Sequence, residues 1–310
     1  MLPTPSTSHV CFDTIYEPAE DSYLFLNTLS SAIETAWLSR RFNDSGDNSS
    51  KPCSIPNYSP QPLVVEVGIG SGVVLAFVAA NAIHIFGRKD ILTLGTDVNS
   101  NACRATRQTI LDAISESQKH ELGNPVAEMS VGPFFLSSLT ADLCTPLRPG
   151  SVDVLIFNPP YVPTPELPDM PSPEVEDSAP VNSSRSKFEH ESHLLSLSYA
   201  GGKLGMETTN RLIESIPDVL NPARGVAYVL LCAQNNPDEV RSRIAGWGLG
   251  WIAEIVGSSG AKAGWERSEP SPPSSPSAPP AASASATASS PSAIRLLPSF
   301  VLWFWSIIDE

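Results

Sequence analysis

The apolar run Leu63-Val64-Val65-Glu66-Val67 leads directly into Gly68-Ile69-Gly70-Ser71-Gly72, which opens a second apolar stretch reaching Phe86. Few folds accommodate that order. A short continuous apolar run rich in valine predicts a strand buried on both faces. Alternating glycines permit a sharp backbone turn and let a ligand lie against it. The stretch Gly72–Phe86 predicts a helix. The alternation then continues along the chain. Strands are predicted over Ile91–Thr96, Phe134–Leu139, Val152–Phe157, Gly225–Cys232 and, more weakly, Gly250–Val256. Helices are predicted over Ser100–Ile114, which Asn99 can cap, and over Arg211–Leu220 and Pro237–Ala245. Buried strands alternating with amphipathic helices define an α/β fold whose parallel sheet is covered on both faces.

Upstream, Pro18 stands where a helix begins, with Glu17, Glu20 and Asp21 at its positive end. Ala19, Tyr23, Leu26, Leu29, Ile33 and Trp37 recur at spacings of three and four, predicting one helix with one buried face. Residues 1–15 read as a flexible leader and 16–267 as one domain carrying loop insertions at 39–61 and 163–192. The second insertion has seven acidic residues against two basic ones, Arg185 and Lys187. Residues 268–293, nearly all Ser, Pro and Ala, read as a disordered insertion. Residues 294–310, with the apolar core Phe300–Ile308, read as a final strand of the same sheet.

The bulk chemistry narrows the partners. A net charge of −14 repels a phosphate backbone, which makes nucleic acid a poor partner. Five scattered cysteines, never spaced as CxxC, form neither a disulfide framework nor a zinc site, and they suit a reducing cytosol or nucleus. No signal peptide or membrane span is visible, so the expectation is a cytoplasmic or nuclear protein that does not engage a membrane.

The glycine turn fails as a dinucleotide fingerprint. GxGxxG counted from Gly68 needs glycine at position 73, which is Val73; counted from Gly70 it needs glycine at 75, which is Leu75. What stands there is Glu66-x-Gly68-x-Gly70-x-Gly72, which resembles the first motif of S-adenosylmethionine-dependent methyltransferases. A cationic sulfonium and an amino acid moiety favour an acid at the strand end, here Glu66. Asp97 ends the next strand, where a carboxylate can accept both hydrogen bonds of a ribose diol. Asp142 follows another strand end and can accept from an adenine amino group, with Leu143 beside it. Three acids at successive strand ends point to a crevice at the carboxyl edge of the sheet.

Asn158-Pro159-Pro160-Tyr161 lies at the same edge. As a strand terminator it needs only Asn-Pro. As a site it uses all four residues. Asn158 and the Pro159 carbonyl each accept one proton of an NH₂ group, the prolines stiffen the backbone, and Tyr161 offers a flat wall. No histidine or carboxylate base stands near these residues in the sequence. The arrangement suits a planar amide or aromatic amine, so a side-chain amide and the N6 of adenine both remain open, and a lysine amine fits the flat wall less well.

In order along the chain, Tyr16-Glu17-Pro18-Ala19-Glu20-Asp21-Ser22, the Glu66–Gly72 turn, Asp97, Asp142-Leu143, Asn158–Tyr161, Gly201–Glu207 and Asn235-Asn236-Pro237 resemble the HemK-like glutamine methyltransferases. The likeness is to the eukaryotic branch acting on the class 1 translation release factor, and it covers most of residues 15–267. It implies a seven-stranded, mostly parallel, Rossmann-like class I methyltransferase sheet with helices on both faces. It also implies S-adenosylmethionine as cofactor, touched by Ser22, Glu66, Gly68, Gly70, Asp97, Asp142, Leu143 and Asn158. Asn158, Pro159 and Tyr161 are then the catalytic residues, and the substrate is the glutamine of the release factor's Gly-Gly-Gln motif. A small zinc-binding activator subunit is implied as heterodimer partner, with no metal in this chain.

Overall fold

A computed structural model describes residues 2–43, 60–121, 132–171, 184–248, 250–258 and 292–299. Seven strands, β1 (Leu63–Val67), β2 (Leu92–Asp97), β3 (Phe134–Thr140), β4 (Val154–Phe157), β5 (Val226–Cys232), β6 (Ile252–Ile255) and β7 (Ala293–Ser299), form one sheet in the order β3-β2-β1-β4-β5-β7-β6. All six pairings are parallel, so the mostly parallel sheet expected from the sequence is parallel throughout.

The period of two along each strand sorts side chains onto two cores. Val64, Ile156, Tyr228 and Leu230 face helices α1 (Glu20–Leu29), α2 (Ala32–Asn43), α3 (Val73–Ala80), α4 (Ala82–Phe86) and α5 (Ser100–Glu121). Val65, Leu155, Phe157 and Val229 face α7 (Glu207–Val219) and α8 (Pro237–Ala245), while α6 (Ser184–Tyr199) lies upstream of α7 in the chain. Asn99 caps α5 as expected, its Oδ1 accepting from the Asn101 N–H at 2.9 Å. Among the described residues no helix is long and apolar enough to cross a membrane.

Four expectations change. The single N-terminal helix is two: Ser30 Oγ donates to the Leu26 carbonyl at 2.7 Å, and Ser31 Oγ accepts from the Glu34 N–H, starting α2. Across that break Tyr23 and Ile33 are exposed; Leu26 and Leu29 are buried as expected, and Leu24 and Phe25 are buried with them. The predicted helix Gly72–Phe86 also divides, at Asn81, whose Nδ2 donates to the Phe77 carbonyl. The supposed loops are partly helical, since α2 runs to Asn43 and α6 begins at Ser184. The leader is packed, with Val10 and Ile15 buried against Ala102 of α5. The expected core of the last strand, Phe300–Ile308, and residues 268–291 of the Ser/Pro/Ala tract lie outside the described residues, and β7 begins at Ala293.

β7 carries an uncommon core residue. Arg295, almost fully buried, sits 3.7 Å from Glu34 Oε1, ion-pairs with Glu254, and lies over the Trp37 ring at 3.9 Å from its centroid. Glu34 in turn accepts from the Tyr228 hydroxyl at 2.8 Å. This cluster ties α2 to the β5-β7-β6 end of the sheet. Truncating one member of a buried ion pair strands the other charge, so Arg295→Ala is expected to lower unfolding free energy by about 3–5 kcal/mol. Chemical denaturation checks this, and a loss typical of an exposed pair would show that the cluster is not a tie.

Candidate functional site

The carboxyl ends of β1, β2 and β4 open on one cleft enclosing ≈ 220 Å³. Its floor is the glycine turn. Gly68 and Gly70 have φ of 66° and 50°, in the left-handed region that glycine adopts without strain. A Cβ on Gly70 would meet no atom within 4 Å, so this backbone faces open space. The turn is held from below: the Gly68 N–H donates to the Thr96 carbonyl at 2.8 Å, and Thr106 Oγ1 donates to the Gly70 carbonyl at 3.1 Å.

The expected acids converge on this cleft. Glu66 is buried and accepts from the Leu75 N–H at 2.9 Å. Burial pushes its carboxyl well above the usual carboxylate range, only partly opposed by that bond. Asp97 at the end of β2 accepts from the Gly70 N–H at 3.0 Å on one oxygen and the Asn99 N–H at 2.8 Å on the other. Desolvation raises its carboxyl too, with the backbone N–H groups of Asn99, Gly70 and Val98 opposing. Asp142 borders the cleft but is already ion-paired with Arg211 of α7. Leu143, with φ of 49°, is held by Thr96 Oγ1 donating to its carbonyl at 2.9 Å. Ser22 is buried in the first turn of α1 and also lines the cleft.

Over β4, Asn158, Pro159 and Tyr161 line the same cleft. Here the expectation that no carboxylate stands nearby fails. Asp21, one residue before Ser22, is 1% exposed and reaches both functional side chains. Its Oδ2 accepts from Asn158 Nδ2 at 3.2 Å and from the Tyr161 hydroxyl at 3.2 Å; its Oδ1 accepts from the Ser22 N–H at 2.6 Å. Tyr16 lies beside Asp21 and Tyr161, and burial first, then these neighbours, pushes its phenol upward, so it stays protonated. Asn158 Oδ1 is buried without a hydrogen-bond partner among the described residues. A buried unpaired acceptor costs about 1–3 kcal/mol, which an incoming N–H would recover.

Two glycines of the Gly201–Glu207 segment back this wall. A Cβ at Gly201 would fall 2.4 Å from the Pro160 carbonyl oxygen, and one at Gly205 would fall 2.0 Å from that of Tyr161. Asn235 anchors the segment, its Nδ2 donating to the Leu204 carbonyl at 3.1 Å while its Oδ1 accepts from the Cys232 N–H at 2.8 Å. Sequence reasoning noted Asp21 only as a helix-start acid and missed Arg211 as a site residue. A clue to Asp21 was its place beside Ser22 in the first quoted motif. Nothing local linked Arg211 to Asp142. Among the described residues no cluster of His, Cys, Asp or Glu is arranged to hold a metal ion.

No family model matches the chain. It is 29% identical over 266 residues to the mouse protein named methyltransferase HEMK2, covering 84% of this chain and 94% of that one. It is 30% identical over 241 residues to the human methyltransferase HEMK2, covering 76% of this chain and 82% of that one. A Schizosaccharomyces pombe protein named eRF1 methyltransferase catalytic subunit mtq2 is 29% identical over 238 residues, covering 76% and 81%.

Proposed function

Since the chain belongs to the HemK-like methyltransferases, in their eukaryotic release factor branch, we propose that it methylates the side-chain amide nitrogen of the Gly-Gly-Gln glutamine in a class 1 translation release factor. The observation that carries this reading is the buried, unpartnered Asn158 Oδ1 on the cleft wall. It is a hydrogen-bond acceptor without a donor, and a glutamine NH₂ supplies one. The Pro159 carbonyl takes the second proton, and the paired prolines hold both acceptors still. Gripping both N–H bonds leaves electron density on nitrogen as it attacks and stabilises the positive charge that develops there.

S-adenosylmethionine supplies an electrophilic methyl group on a sulfonium when bound. The chain's residues fit it: Gly68 and Gly70 leave the floor bare, Asp97 suits the ribose diol, and Asp142 with Leu143 suits the adenine. Asp142 would make that contact while paired with Arg211. Ser22 and Asn158 border the donor end. Glu66 is a buried carboxyl with no ion pair among the described residues, and the cofactor's ammonium group answers it. A pH dependence follows. Because the Glu66 carboxyl is raised and the cofactor favours its charged form, binding releases a proton and tightens as pH rises through that raised value. Calorimetry in buffers of different ionisation enthalpy reads the proton directly. Proton uptake on binding would contradict the pairing.

The partner reading draws on a different surface. β3 is an edge strand, and Phe134 (60% exposed) and Leu136 (44%) are exposed on it. An apolar edge of this kind invites pairing by another chain. A small zinc-binding activator subunit covering it accounts for the surface, and the zinc belongs to that subunit. A chain that acts on a translation release factor fits the cytoplasm.

The test incubates the chain and activator with S-adenosylmethionine and purified release factor, then maps methylation by mass spectrometry. Methyl transfer to the Gly-Gly-Gln glutamine is expected. Label on adenine or lysine with that glutamine untouched would sink the reading. The net charge of −14 already weighs against a nucleic-acid substrate.

A further inference from the structure

We propose that Asp21 is a positioning residue which decides which end of the Asn158 amide is left for the substrate. This rests on the reading above, in which Asn158 must present an acceptor. The two ends of a primary amide are nearly identical in shape and opposite in chemistry, so only hydrogen-bond partners select between them. Asp21 makes the selection. A carboxylate only accepts, and its Oδ2 draws Asn158 Nδ2 to 3.2 Å. The oxygen end, Oδ1, is thereby left without a partner. The flipped amide would set Oδ1 against the carboxylate, acceptor facing acceptor, and turn the NH₂ group toward a substrate that is itself a donor.

Both oxygens of Asp21 are committed, which makes the arrangement unusually sensitive to a conservative change. Oδ1 accepts the short bond from the Ser22 N–H at 2.6 Å, and Oδ2 takes both Asn158 and the Tyr161 hydroxyl. Asparagine at position 21 has one oxygen. The Ser22 N–H keeps it, because a donor cannot face that N–H. The NH₂ of the new side chain then occupies the Oδ2 position and meets Asn158 Nδ2, donor against donor, while the Tyr161 hydroxyl turns to accept from it. The Asn158 amide turns over to relieve the clash. Its oxygen is then consumed internally, and its NH₂ faces the substrate amide. Alanine at position 21 removes both acceptors but installs no donor, so Asn158 is freed rather than inverted.

The experiment uses the chain with its activator subunit and compares wild type, Asp21→Asn, Asp21→Ala, Asn158→Ala and the double variant Asp21→Asn/Asn158→Ala. Single-turnover methyl transfer is measured together with kcat, KM for release factor and cofactor affinity. Asp21→Asn is expected to lower the transfer rate by about 10²-fold while cofactor affinity stays within about threefold, and to add nothing once Asn158 is alanine. Asp21→Ala is expected to retain more activity than Asp21→Asn, the reverse of the order that a purely structural side chain gives. The proposal is overturned if Asp21→Asn leaves the rate unchanged or weakens cofactor binding in proportion. It is equally overturned if Asp21→Asn costs the same factor in the Asn158→Ala background, or if Asp21→Ala is the worse variant. Should wild type methylate an adenine oligonucleotide and not the release factor, the functional reading falls. The same cycle run on that oligonucleotide still decides what Asp21 does.

Discussion

Asn158→Ala is expected to reduce methyl transfer by about 10²–10³-fold while leaving cofactor affinity within about threefold, since it removes a partner that acts on the substrate nitrogen as charge develops. Its effect on folding is expected to be small, because two contributions oppose each other. Losing the amide takes one donor from Asp21, whose Oδ2 keeps the Tyr161 hydroxyl at 3.2 Å. It also removes Oδ1, a buried acceptor that has no partner among the described residues. Each term is about 1–3 kcal/mol, so their difference is at most about 2 kcal/mol. A site residue that costs stability and supplies activity is the expected signature of function held against packing. Rapid-quench transfer, cofactor titration and thermal unfolding on the same preparation separate the terms. Parallel loss of transfer and cofactor binding would make Asn158 chiefly a structural residue.

Gly205→Ala is expected to damage the protein more broadly. At φ of 66° a non-glycine residue is strained by about 1–2 kcal/mol. The larger effect is contact. The added methyl would fall 2.0 Å from the Tyr161 carbonyl oxygen and 2.7 Å from its carbon, and both are backbone atoms that cannot swing aside. Either the Gly201–Glu207 segment retreats from the site or the Asn158–Tyr161 backbone is pushed out of register. A total loss of about 4 kcal/mol is expected, as for other overpacked buried positions with backbone strain. Gly248→Ala supplies the control. Its φ of 71° is equally left-handed, yet nothing lies within 4 Å of the added atom, so it isolates the strain alone. Denaturation midpoints compare the two. Equal losses would mean that close approach to Tyr161 contributes nothing.

Most of the fold was legible because its signals are local. Alternating apolar strands and amphipathic helices placed β1 through β6 within a few residues of their observed bounds. The errors came where a local signal was overlooked or a distant contact prevailed. Ser31-Ala32-Ile33-Glu34 is a helix-start pattern inside a longer run of helical spacing, and the spacing obscured it. β7 was harder to read, because Arg295 and Pro298 weaken the strand pattern of Ala293–Ser299. Arg295 is tolerated there because Glu34, Glu254 and Trp37, drawn from two other elements, surround its charge. No window of sequence contains all four.

The site divides along the same line. The sequence by itself determined that glycines and acids stand at successive strand ends, and that Asn158–Tyr161 closes β4 above them. Those features follow from the order of residues within each strand-turn-helix unit, and a parallel sheet carries them to one edge. Only the tertiary structure decided that Asp142 meets Arg211, and that Asp21 meets Asn158 across 137 residues of chain. Those pairings arise from how α1 and α7 pack against the carboxyl edge. The chemistry that depends on them, including which end of the Asn158 amide remains for a substrate, is set by side-chain direction between segments remote in sequence.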